Sequence, residues 1–98
     1  LIVNINGKVV GIESQGDPGT GLKDRLIVLA DLNNCDIIIC STRTKGETID
    51  AVDNLHYNYG FQTIWTSTYQ IAKESEQKLA NKLKAKHIID LLQTLELI

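Results

Sequence analysis

The sequence predicts a small mixed α/β domain in the order β-β-α-β-α-β-α, an antiparallel N-terminal hairpin joined to a short parallel sheet flanked by helices. Three observations carry this. Asn6-Gly7 separates two β-rich runs, Ile37-Ile38-Ile39 is an unbroken β-branched run, and the segments between β-rich runs repeat apolar residues at helical spacing.

Residues 1–5 and 8–12 are the first two strands. Asn-Gly accepts positive φ at both central turn positions, as a type I′ hairpin requires, so these strands pair antiparallel. A loop follows over residues 13–21, Glu-Ser-Gln-Gly-Asp-Pro-Gly-Thr-Gly, with the only proline of the chain. Leu22, Leu26 and Leu29 then recur on one helical face, widened by Ile27 and Leu32. Asn33-Asn34 suits the end of this helix because asparagine tolerates left-handed backbone.

The isoleucine run has no polar alternation, which predicts burial on both faces in the middle of a parallel sheet. Thr44 and Glu47 have the spacing of a capping box, with Ile49, Val52, Leu55 and Tyr59 as the inner stripe of a second helix and Gly60 as its terminator. Residues 61–66 read as a further parallel strand, with Phe61, Ile64 and Trp65 in the core. Helix is favoured from Ile71 to about Leu95, with a break near residues 81–87, or packing of Ile88, Leu91, Leu92 and Leu95 on another subunit, as ways to accommodate its length. No internal repeat or linker is visible.

Ninety-eight residues, 43% of them apolar, make one domain with a modest core. The chain starts at Leu1 rather than methionine, which points to processing or to preceding residues and a longer domain. The formal charge is −2, with both signs interspersed, so there is no strong nucleic-acid signal. Apolar runs are too short to span a membrane and no signal peptide is evident, so the expected compartment is cytoplasmic. Cys35 and Cys40 alone make a poor zinc signature and read as small buried thiols.

On this order, polar loops follow three parallel strands: residues 13–21, Ser41 to Thr44, and Thr66, Ser67, Thr68 and Tyr69. Ligands of open α/β sheets bind beyond the carboxyl ends of the strands, and helix starts there suit phosphate. Gly16 and Gly21 satisfy G-x-x-x-x-G, but Leu22 stands where lysine is required and Lys23 comes one place late. The alternative is a surface turn shaped by Pro18 and the glycines. Glu13 and Asp17 are candidate magnesium-facing acids, or helix-dipole partners and caps. Arg43 either meets phosphate bidentately or ties loops together through Asp17 or Asp50, while Lys45 is solvated. Ser14 keeps half of G-x-S-x-G and neither His56 nor His87 is placed beside it, which argues against a serine hydrolase. Tyr69 either stacks on a base or packs with its hydroxyl at water.

The stretches Asn6-Gly7-Lys8-Val9-Val10-Gly11-Ile12-Glu13-Ser14-Gln15-Gly16-Asp17-Pro18 and Cys35-Asp36-Ile37-Ile38-Ile39-Cys40-Ser41-Thr42-Arg43-Thr44-Lys45-Gly46-Glu47-Thr48 resemble the later portion of small P-loop NTPase-like proteins of bacteria and phages. The resemblance runs over most of the chain and is weakest in the last helix. It implies a P-loop NTPase-like fold that binds ATP, GTP or another phosphate-bearing small molecule. Glu13 and Asp17 would then sit in the magnesium-facing acidic segment, and Ser14, Gln15, Gly16, Ser41, Thr42, Arg43, Thr44 and Ser67 would be the phosphate contacts. No G-x-x-x-x-G-K-[ST] is present, so the chain is an incomplete or degenerate module, NTPase-like or kinase-like at most, from which no turnover is expected alone. The competing expectation is a non-enzymatic binding or assembly module that forms an oligomer through its C-terminal helix.

Overall fold

The computed structural model describes residues 1–68 and 70–98. The backbone divides into two compact units, Leu1–Thr63 and Ile64–Ile98. The first unit holds strands β1 (Ile2–Ile5), β2 (Lys8–Glu13) and β3 (Ile37–Cys40), helix α1 (Leu22–Ile27), which runs on into a π-helical turn at Val28–Leu32, and helix α2 (Glu47–Tyr59). The second holds helix α3 (Glu74–Thr94).

The predicted hairpin is present. Asn6 and Gly7 take φ of 52° and 82°, and the Asn4 side chain accepts the Gly7 N–H at 3.1 Å. β1 and β2 pair antiparallel with Val3 opposite Val10, and β2 and β3 pair parallel with Gly11 beside Ile38 and Glu13 beside Cys40. Asp36 extends the parallel ladder: its N–H donates to the Val9 carbonyl at 2.8 Å and its carboxylate accepts the Val9 N–H at 2.8 Å.

The core of this unit is formed by Leu22, Leu26 and Leu29, by Ala51, Val52 and Leu55 of α2, and by Cys35, with Val9, Ile38, Cys40 and Phe61 packed against it. Leu22, Leu26, Leu29, Val52 and Leu55 are the stripes that the helical spacing predicts, but Leu32, expected to widen the first of them, is exposed because it lies in the π-helical turn that ends the helix. Gly11 lets the helices approach the sheet, since a Cβ there would lie 2.9 Å from Cys35 Sγ and 3.0 Å from a Leu29 methyl. Asn34, at φ 50°, takes the left-handed backbone expected after the first helix, and Gly60, at φ 77°, ends α2.

Four expectations are corrected. Residues 61–66 are not a strand: the sheet has the order β1-β2-β3, and Ile64 and Trp65 are about half exposed instead of lying in the core. β3 is consequently an edge strand whose isoleucines are only half-buried, where burial on both faces was predicted. Tyr59, assigned to the inner stripe of α2, is exposed. The capping box at Thr44 and Glu47 does not form, because Gly46, at φ 91°, occupies the N-cap and the Glu47 carboxylate turns to the Gly19 N–H at 3.1 Å. Only glycine holds such a backbone without strain.

In the second unit, α3 runs without a break through residues 81–87 and spans about 31 Å at about 1.5 Å per residue. Among the described residues no helix is long and apolar enough to cross a membrane.

Candidate functional site

β2 and β3 run in the same direction, so their carboxyl ends, Glu13 and Cys40, deliver the chain into two loops at one edge of the sheet. These are the glycine loop, residues 14–21, and the arginine loop, residues 41–46. The loops are joined. The Ser41 N–H donates to the Glu13 carbonyl at 3.3 Å, and Ser41 Oγ donates to the Ser14 carbonyl at 2.7 Å. Gly16 is buried against the same serine, where a Cβ would fall 1.9 Å from the Ser41 carbonyl oxygen. The requirement for glycine here is a close approach of two backbones.

The two arginines of the chain both close on the glycine loop. Arg43 Nη2 lies 2.7 Å from Asp17 Oδ1, and this pair stands in water with its side chains 64% and 61% exposed. Arg25, in α1, is more enclosed. Its Nε lies 3.0 Å from Glu13 Oε2, its Nη2 donates to the Gln15 carbonyl at 2.6 Å, and its Nη1 donates to the Thr20 carbonyl. Thr20 Oγ1 donates to the Asp17 carbonyl at 2.6 Å, and the second oxygen of Glu13 accepts the Gln15 N–H at 3.3 Å. The loop is therefore folded around one guanidinium and faced by another.

Arg25 is the residue that sequence reasoning missed, having weighed Lys23 in its place. A usable signal was present: eight of the ten cations are lysines, and the two arginines offer a planar fork that can grip several oxygens at once.

Of the expected site residues, the structure brings together Glu13, Ser14, Gln15, Gly16, Asp17, Ser41 and Arg43. Thr42 is half-buried and Thr44 exposed on the same loop. The Arg43 N–H donates to Thr48 Oγ1 at 2.9 Å, which satisfies the hydroxyl of a buried threonine and fixes the loop to the first turn of α2. Ser67 does not follow a strand, and it belongs to the second unit. Tyr69 lies outside the described residues.

The two acids expected to face magnesium each lie against an arginine, Glu13 against Arg25 and Asp17 against Arg43. Among the described residues no group of three or more His, Cys, Asp or Glu side chains is placed to hold a metal ion. Glu47 and Asp50 fill the first turn of α2 and complement its dipole, and Arg43 and Lys45 are the cations of the arginine loop that face solvent.

Cys40 ends β3 beside Glu13, and Cys35 lies in the core next to Gly11. Burial pushes the Cys35 thiol up, with Asp36 adding to it, and burial pushes Cys40 up, with Glu13 adding to it. A thiol held protonated is a poor nucleophile, which fits a packing role for both. No family model matches the chain, and no curated protein or solved structure matches it.

Proposed function

We propose that the chain is part of a nucleotide-binding module of the P-loop NTPase-like kind, and that its glycine and arginine loops receive the phosphates, with Arg43 as the cation that meets them. The observation that supports this reading is the exposed Arg43–Asp17 pair at the carboxyl ends of two parallel strands. A pair this exposed is worth only about 0–1 kcal/mol. A phosphate offers a guanidinium more charge and a better-matched pair of oxygens than one exposed carboxylate does. Asp17 thus acts as a resident counter-ion that the ligand displaces, while Arg25 and Glu13 keep the loop in shape. Magnesium enters with the nucleotide, as the ion its phosphates carry, rather than through Glu13 and Asp17.

Calorimetric titration with ATP and with GTP, each with and without magnesium, tests the reading. Binding is expected, and Arg43→Ala should weaken it by about tenfold or more, since a hydrogen bond to a charged group is worth about 1.5–3 kcal/mol. Absence of binding heat, or equal affinity in the variant, would overturn it.

A further inference from the structure

The long helix of the second unit carries two sets of apolar residues, one of them exposed. Ala80, Ile88 and Leu92 form the more enclosed stripe, with Leu92 buried. Leu79 and Leu83 lie about 140–180° from Ile88 and Leu92 for a helix turning about 100° per residue, and are 69% and 47% exposed. Two leucines one turn apart in water, in the first half of a 21-residue helix, form the centre of a candidate contact patch.

The charges around this patch identify its occupant. Glu76 and Lys86 lie on the same face as the two leucines, each five residues from Asn81. A two-fold axis crossing the helix at the level of Asn81 pairs Leu79 with Leu83 of the partner subunit and Glu76 with Lys86 of the partner subunit. Symmetry then makes each contact twice. Lys78 and Lys84, which would repel one another at the same level, lie on the other side of the helix. An isologous contact requires a self-complementary patch, and this one is self-complementary in both shape class and charge.

We propose that α3 pairs antiparallel with α3 of a second copy of this chain, with Leu79 and Leu83 at the centre and Glu76–Lys86 pairs at both ends. The contact uses residues of α3 alone and none of those assigned to phosphate, so it stands independently of nucleotide binding.

Sedimentation equilibrium over a range of concentrations tests it. The chain is expected to reach twice its 10.9 kDa mass. Leu79→Glu with Leu83→Glu is expected to be a folded monomer, with folding checked by circular dichroism, because both positions are exposed. Glu76→Lys should weaken dimerisation by about tenfold, as two attractive pairs become repulsive. Adding Lys86→Glu to it should restore the original affinity. A chain that stays monomeric at every concentration overturns the proposal. A dimer indifferent to the leucine changes, or one in which the double charge exchange does not rescue the single, also overturns it.

Discussion

Gly16 shows most directly how one residue shapes the candidate site. Its backbone lies against Ser41, and a single added carbon would come within 2.3 Å of the Ser41 carbonyl carbon. The neighbour is backbone, so it cannot turn aside as a side chain would. Gly16→Ala is expected to force the two loops apart and to cost at least about 1–3 kcal/mol, in the range of overpacked interiors. Urea unfolding measures this, and an unchanged midpoint would show that the loops are not joined as described. The sequence draws attention to Gly16 for another reason, as the first glycine of a failed phosphate-loop pattern. Its position was legible and its task was not, because close approach of distant backbones leaves no local signature. The same holds for Asp17: the sequence offers it to a metal or to Arg43, and only the fold shows the arginine 2.7 Å away.

Among the elements, those fixed by local chemistry were the legible ones. The Asn6-Gly7 turn, the leucine spacing of α1 and the glycine end of α2 follow from backbone preference and periodicity, and all are present. The expected strand over residues 61–66 rests on β-propensity, which expresses fit to a half-buried pleated surface rather than an intrinsic drive. With no strand of the described sheet paired to them, Ile64 and Trp65 remain about half exposed. The capping box failed for a related reason. The Gly19 N–H, 28 residues away, competes for the Glu47 carboxylate and wins it. The end of α3 carries a detail no pattern predicts. Glu96 takes φ 58°, its N–H bonds the Gln93 carbonyl at 3.0 Å, and the Leu97 N–H bonds the Leu92 carbonyl at 2.9 Å, so the helix closes as a glycine-type cap with glutamate in the glycine position. Glu96→Gly should therefore stabilise the protein by about 0.5–1 kcal/mol by removing the left-handed strain. A loss of stability on thermal or urea unfolding would contradict this closure.

For the molecule as a whole, the buried core is small and the apolar exposure considerable. Leu26 and Val10 are fully buried, yet Leu1, Leu32, Tyr57 and Leu79 are largely in water. A chain of this size has little stability to spare, which favours further apolar burial through association. Against that background, the glycine and arginine loops are unusually well tied, by two arginines, two carboxylates and a shared serine. The tie of Arg43 to Asp17 is the one facing solvent. The central claim is that Asp17 stands in for a phosphate at Arg43. Affinity for ATP, compared between the unaltered chain and Asp17→Asn, tests it most directly. The account predicts that Asp17→Asn binds more tightly, with the gain lost when Arg43→Ala is added, because the guanidinium is released and one repelling charge removed. Weaker binding by Asp17→Asn would mean that the carboxylate serves the ligand itself, and would contradict the account.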